Sequence, residues 1–242
     1  MMRQRCRNLE AAMVVVGTLV MSVLSVPVRA GSINEGASDV GTRTIVGTSS
    51  PTLTHGSLQM LDLLVDTPNQ TTVDSDVEFD ITPIKTVPQG VVIQSATLLL
   101  DIAGAQTIAG PASVSVNGYP DGDGVVGLGD FVKPTTVLGS TGNLANAAPG
   151  TVDIPFSFDI TSFLQTLVNN GTMKWVGFHL EGPAGDSQAW VWGNAAPNPG
   201  EQPRLEVTFS AVPEPSGALL IGLGFAGLAY QYSRGTRRAY RT

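Results

Sequence analysis

The residues best equipped for chemistry in this 242-residue chain form one short run, Asp121-Gly122-Asp123-Gly124-Val125-Val126-Gly127-Leu128-Gly129-Asp130. Laid on a twelve-position calcium loop, Asp121, Asp123 and Asp130 take positions 3, 5 and 12, Gly124 the sharp turn and Val126 the apolar position 8. Carboxylate oxygens at that spacing suit Ca²⁺, but position 1 is Tyr119, position 12 is Asp rather than the longer Glu, and the flanks read as strands, not helices. Two readings stand: a Ca²⁺ site on Asp121, Asp123 and Asp130 completed by other donors, or a Gly/Asp-rich hairpin loop with left-handed turns.

Trp175, Trp190 and Trp192 crowd the last third of the chain. Exposed aromatic faces stack on sugars, so Trp190 and Trp192, which share a face opposite Val191 in an extended chain, are candidate glycan contacts. Large aromatics also dominate core energetics, and a covered position for these tryptophans is the competing expectation. The only histidines are His55, in a leading loop, and His179, in a strand between Phe178 and Leu180; a two-histidine metal pair is a minor reading. No Gly-x-Ser-x-Gly elbow accompanies Ser57, Ser187 or any other serine. A carboxylate pair for glycoside cleavage has many possible members, because spacing in sequence does not reveal spacing in space. The expectation is a protein that is not an enzyme, with a secreted hydrolase as the remote alternative. Asn69-Gln70-Thr71 and Asn170-Gly171-Thr172 match the glycosylation tripeptide.

The elements that must carry these residues are strands. Val77, Phe79 and Ile81 alternate with Glu78, Asp80 and Thr82, the period-2 pattern of a strand with one buried face. Ala96, Leu98, Leu100 and Ile102 repeat it most strongly, followed by Val114 and Val116, then Val152, Ile154, Phe156, Phe158 and Ile160, with Pro155 marking an edge or a bulge. Trp175 to Glu181, Ala189 to Gly193 and Arg204 to Ser210 complete the series. One internal stretch reads as helix, Phe163 to Asn169, with Thr161 or Ser162 as cap and Gly171 as stop. Short strands punctuated by Gly, Pro and Asn, without alternating helices, predict an all-β fold: an antiparallel, jelly-roll-like β-sandwich over residues 57–210. Residues 31–56 read as a leading segment in which Thr44-Ile45-Val46 adds at most an early strand.

Both ends have a different composition. Arg3, Arg5 and Arg7 precede an uncharged run from Ala11 to Val28, and Val28-Arg29-Ala30 suits a signal peptidase, so residues 1–30 are expected to be a signal peptide cut after Ala30, with an uncleaved anchor as the alternative. At the other end Val212-Pro213-Glu214-Pro215 leads into Ser216 to Tyr232 without a charge, then Arg234, Arg237, Arg238 and Arg241. The apolar part from Ala218 to Tyr232 would extend roughly 22 Å as a helix. That is short for a hydrocarbon core of about 30 Å. Tyr230 and Tyr232 suit the headgroup level and the arginines mark the cytoplasmic side, so a short transmembrane helix over 216–232 is expected, with a buried core helix as the rival.

Between these ends, residues 31–213 hold five basic and eighteen acidic side chains, a net charge of −13. That field disfavours nucleic acid and anionic membrane as partners of the body and favours solubility or attraction of cations. The only cysteine, Cys6, precedes the first apolar run. The body therefore has no disulfide, no cysteine nucleophile, no thiolate zinc site and no iron–sulfur cluster, and its roughly 180 residues must be held by an apolar core.

Val212-Pro213-Glu214-Pro215, one short hydrophobic span and a terminal arginine cluster resemble the PEP-CTERM sorting signal of Gram-negative bacteria. The resemblance implies that a membrane-embedded exosortase recognises the Pro-Glu-Pro region, cuts near it and sends the body to the cell surface or an exopolysaccharide matrix. Residues 211–242 are then substrate, with the membrane as a transient partner. Ile93 to Leu98, Phe158-Asp159-Ile160-Thr161-Ser162, Trp175-Val176-Gly177-Phe178 and Pro203-Arg204-Leu205-Glu206-Val207 resemble a DNRLRE-type domain, a β-sandwich of bacterial surface proteins. That likeness implies adhesion or polysaccharide contact.

Overall fold

A computed structural model describes residues 30–85, 90–107, 110–121, 123–171, 174–182, 185–211 and Gly224, without the side chains of Lys85 and Asp121. The elements in order are β1 (Ala30–Gly36), β2 (Asp39–Val46), β3 (Thr52–His55), β4 (Met60–Asp66), β5 (Thr71–Asp80), the single turn α1 (Thr82–Lys85), β6 (Val91–Thr107) and β7 (Ser115–Asp121). A 3₁₀ turn η1 (Asp130–Val132), β8 (Thr136–Ser140), β9 (Ile154–Asp159), α2 (Thr161–Asn169), β10 (Trp175–Glu181), β11 (Ser187–Trp192), η2 (Pro199–Glu201) and β12 (Arg204–Ala211) follow. The strands join in the order β1-β12-β6-β11-β4-β5-β10-β7-β8; β2 branches from β5 with β3 beside it, and β9 branches from β6. Antiparallel ladders curl this sheet around one core, because the 17-residue β6 and the ten-residue β5 each exchange partners along their length.

The apolar faces predicted by alternation are the faces that meet. Leu98, Leu100 and Ile102 of β6 are buried together with Val77 and Phe79 of β5, Leu61 and Leu63 of β4, Val176, Phe178 and Leu180 of β10, and Leu205, Val207 and Phe209 of β12. Phe79 and Phe178 meet edge to face at 5.8 Å between centroids. Each such aromatic contributes about 1.5–3 kcal/mol by leaving water, enough in sum to hold a cysteine-free domain. Residues Ala30–Ser210 form one compact unit.

Helix α2 forms where expected, but Thr161 and Ser162 do not cap it. Ile160 is the N-cap residue without a side-chain bond, and the carboxylate of Asp159 accepts the Thr161 N–H at 2.9 Å. Leu164 and Leu167 turn into the core. The polar residues of α2 serve β6 instead: Ala96 N donates to Thr161 Oγ1 at 2.9 Å, Ile93 N donates to Gln165 Oε1 at 2.7 Å, and Gln165 Nε2 donates to the Val91 carbonyl at 3.1 Å. Gln165 thus stands in for a neighbouring strand where β9 has ended. Gly171 follows with φ +83°, a left-handed stop that only glycine adopts without strain.

Two further expectations meet the structure at the edges. Pro155 lies in β9, which among the described residues pairs only with β6, as an edge proline should. The leading segment supplies three strands rather than at most one: β1 lies along β12, β2 along β5, and β3 along β2. Its Gly, Ser and Thr content weakens the local signal, and pairing with distant strands decides the outcome. Among the described residues no helix is long and apolar enough to cross a membrane; the expected signal helix and the span over 216–232 lie outside them, Gly224 excepted.

Candidate functional site

Strand β5 has two buried faces. Alternation sends Val77 and Phe79 into the core and Asp74, Asp76 and Glu78 to the other side, where a sandwich strand normally meets water. Yet Asp76 and Glu78 are 0 % exposed and Asp74 8 %. Tyr119 and residues 123–133 cover them.

Register explains how the cover fits. Across β7, β10 and β5, Tyr119, Gly177 and Glu78 lie in one row, and Asn117, His179 and Asp76 in the row two residues along. The Tyr119 ring passes over Gly177, whose missing side chain leaves the space; a Cβ there would overlap the ring. The phenol reaches across to donate to Glu78 Oε1 at 3.1 Å, with Asp76 Oδ2 at 3.3 Å. On β2, Gly41 makes room in the same way: a Cβ there would lie 2.5 Å from Val126 Cγ1. Val126 is held in place by its own N–H, which donates to Asp39 at 2.9 Å. Phe131 packs edge to face with the His179 imidazole, 5.4 Å between centroids, and takes the Arg43 guanidinium over its face at 4.7 Å.

Ion pairs lie beneath the cover, and Glu78 is met by the Tyr119 phenol. Arg43 Nη2 donates to Asp74 at 2.7 Å, Lys133 pairs with Asp130, and His179 Nδ1 lies 2.6 Å from Asp76 Oδ1 with Nε2 3.6 Å from Glu181. Burial pushes the Asp76 carboxyl above its usual range despite the opposing bonds from His179 and Tyr119. Burial pulls His179 down, but its hydrogen bond to Asp76 and the charges of Asp76, Asp74 and Glu181 raise it overall. The pair therefore keeps one shared proton to higher pH than a free histidine does. Burial drives the Tyr119 phenol far upward, with Asp76 and Glu78 adding to the shift, so it stays a donor. An open cleft of about 390 Å³ lies beside His179, walled by Arg43, Asp74, Phe131, Lys133 and Glu181. Chemically, this arrangement holds a proton and clamps a loop to a sheet.

The Asp-rich run is part of that loop. Asp123 Oδ1 accepts the Val125 N–H at 3.2 Å, and Asp130 Oδ2 accepts the Gly127 N–H at 2.6 Å while its other oxygen meets Lys133. Asp121 ends β7, and its side chain lies outside the described residues. Asp123 and Asp130 are thus bound to backbone of their own loop, and among the described residues no group of three or more potential ligands is placed to hold a metal. Gly124, φ +74°, packs under the Trp175 ring and closes the turn.

Trp190 and Trp192 do share the outer face of β11, opposite the buried Val191. Trp192 is 6 % exposed, packed with Ala103 and Ala196, whereas Trp190 is partly open beside Met60. Trp190 stands directly across from Asp62 of β4, and Gln188, next on the same face, donates to Asp62 Oδ1 at 2.7 Å. His55 is half-exposed and 3.5 Å from Asp39, whereas His179 meets Asp76.

Sequence reasoning overlooked Asp74, Asp76, Glu78, Tyr119 and Arg43 as a group. Their signal is faint: acids at every second position of a strand look like a solvated face, and the residues that cover them come from 31 to 103 positions away.

Ala30 opens β1 and pairs with Ser210 near the end of β12, so the strand reached by the expected signal-peptidase cut and the strand that leads to the tail lie side by side. Val212, Pro213, Glu214, Pro215 and the four arginines from Arg234 to Arg241 lie outside the described residues.

Comparison with known proteins bears on the tail more than on the body. Solved structures with a similar outline include a xylan-binding module, CBM15, at 13 % identity over 74 % of this chain and 97 % of that one, TM-score 0.41. The infectious bursal disease virus Gx strain structure matches at 11 % identity over 77 % of this chain and 43 % of that one, TM-score 0.21. No curated protein matches the chain, and no finding supports the DNRLRE-type likeness of the body. Residues 211–234 match the PEP-CTERM protein-sorting motif, which implies exosortase-sorted export with processing at the membrane.

Proposed function

We propose that this chain is a non-enzymatic cell-surface or exopolysaccharide-matrix protein, exported by its N-terminal signal and released from the membrane by an exosortase. The observation that carries this reading is the sorting motif at 211–234, which starts on Ala211, the last residue of β12. Signal peptidase acts first, the span over 216–232 holds the folded body at the membrane, and the cut near Pro213-Glu214-Pro215 frees it. A span of marginal length suits that task because it need last only until the cut. Replacing Pro213, Glu214 and Pro215 together by Ala in the producing cell tests the reading. The protein then accumulates in the membrane fraction at full tail length; undiminished release to the surface refutes it.

A second reading, carbohydrate contact at the same location, is favoured by Trp190: a partly open indole with the hydrogen-bonded amide and carboxylate of Gln188 and Asp62 beside it on one face. Flat aromatic surface next to planar hydrogen-bonding groups is what a sugar ring and its hydroxyls need. Trp190→Ala, in a protein of unchanged melting temperature, lowers retention on the producer's polysaccharide at least tenfold under this reading, as loss of one stacked ring does at about 1.4 kcal/mol per factor of ten. Unchanged retention removes Trp190 from that role.

A further inference from the structure

The curled sheet does not close. No ladder joins β8 to β9 among the described residues: β8 pairs only with β7, and β9 only with β6. The two strands approach closely at Gly139, where an added Cβ would lie 3.0 Å from Phe158 Cδ1. Towards the start of β8 they diverge into a cleft of about 370 Å³ between Thr136-Val137-Leu138 on one side and Asp159, Ser162, Phe163 and Thr166 on the other. Thr136, Val137 and Leu138 line it together because the ladder with β7 shifts register between Val116 and Asn117: Leu138 is an extra residue, and the bulge breaks the strict alternation beside the edge of β8 that β7 does not pair. The opposite wall is the first two turns of α2, with Ser162 and Thr166 one turn apart and exposed. A free strand edge facing a helix across a groove is the geometry in which an extended peptide adds as a further strand.

Apart from the bulge at Leu138, the edge lacks the devices that normally protect one. Thr136-Val137-Leu138-Gly139-Ser140 carries no charge and no proline, and Val137 is 79 % exposed. Of the other edges, β1 carries Glu35, β9 carries Pro155 and Asp159, and β3 is only four residues long. We propose that the β8–α2 cleft binds an extended peptide segment of another protein, carrying a Lys or Arg beside Asp159. Among the described residues Asp159 is the only charged side chain lining the cleft, it is exposed, and its bonds from Thr161 hold it below the usual carboxylate range, so it is ionised at neutral pH. Leu138 and Phe163 offer an apolar floor for one side chain of the added strand, and Phe163 is itself backed by Phe178 at 6.2 Å. A second copy is disfavoured: its body repeats the charge of −13, and pairing β8 with its own equivalent brings two Asp159 carboxylates to one interface.

The test uses the full chain in neutral detergent and two fluorescent five-residue probes, acetyl-Thr-Val-Lys-Val-Thr-amide and its Glu counterpart. Anisotropy is expected to show the Lys probe binding about tenfold more tightly, with hydrogen exchange slowed at 136–140. Asp159→Asn, which keeps the acceptor for the Thr161 N–H, removes the preference, and the surface change Thr166→Lys reverses it towards Glu. The proposal is overturned by equal binding of both probes, by no binding at millimolar probe, by slowing outside β8, or by β8 amides already slow because a second copy occupies the edge.

Discussion

The two faces of β5 do opposite things with the same strand. On one, Val77 and Phe79 join an apolar core drawn from β4, β6, β10 and β12. On the other, Asp74, Asp76 and Glu78 are also covered, but the groups that hold them are polar or charged: Arg43 on Asp74, His179 on Asp76, Tyr119 on Glu78. The apolar face is driven by removal of surface from water and tolerates apolar swaps that conserve volume. The polar face gains little from burial itself and depends on each carboxylate finding its partner, because an unmatched buried charge costs several kcal/mol. One face makes the domain fold; the other fixes where the loop from Tyr119 to Lys133 lies.

The sharpest way to break this comparison is to remove one partner from each face. His179→Ala leaves Asp76 buried without its ion-pair partner and is expected to destabilise by about 3–5 kcal/mol. Phe79→Ala, on the apolar face, is expected to cost a similar 3–5 kcal/mol through lost burial and cavity formation. Urea titration compares the two; a His179→Ala cost under about 1 kcal/mol, the size of a surface pair, means the polar layer is open to water and the two faces are not equivalent.

A smaller effect is expected at Gly177. Gly177→Ala pushes a methyl into the Tyr119 ring and costs about 1–3 kcal/mol by overpacking. Because the strain falls on the cover, proteolysis within 119–133 should rise more steeply than global stability falls. Equal changes in both measures indicate that the loop is not a separable layer.

The pH dependence is the subtlest test. The folded state raises His179 above 6.5, so its stabilising contribution is complete below pH 6.5 and is lost as pH rises through the raised value. Asp76, raised from 3.8, has the same sign in its own window, beginning above pH 3.8, and through the proton it shares with His179. The melting temperature should therefore decline on the alkaline side of pH 6.5, and His179→Gln should flatten that decline. A melting temperature that climbs between pH 6.5 and 9 contradicts the shared-proton assignment.

What could be read from residues alone follows the same division. The strands of the apolar core were legible because alternation is a local signal: Leu205, Val207 and Phe209 announce an inward face, and Trp190 and Trp192 were correctly set opposite Val191. The polar layer was not. Asp121 to Asp130 reads as a ligand loop by spacing, yet Asp123 and Asp130 turn to their own backbone while Val126 and Phe131 carry the packing. The matching glycines, Gly41 and Gly177, are as informative as any side chain, but only once the register of β2, β5, β7 and β10 is known. Likewise Thr161 looked like a cap, and its hydroxyl instead accepts from β6, a partner 65 residues away.

The body's role rests finally on what happens beyond β12. The mass of the protein recovered from the cell surface tests it most directly. Exosortase processing predicts a species beginning at Gly31 and ending near Pro213, without Arg234, Arg237, Arg238 or Arg241; a surface species that retains Arg241 contradicts it and makes the chain a permanently anchored protein.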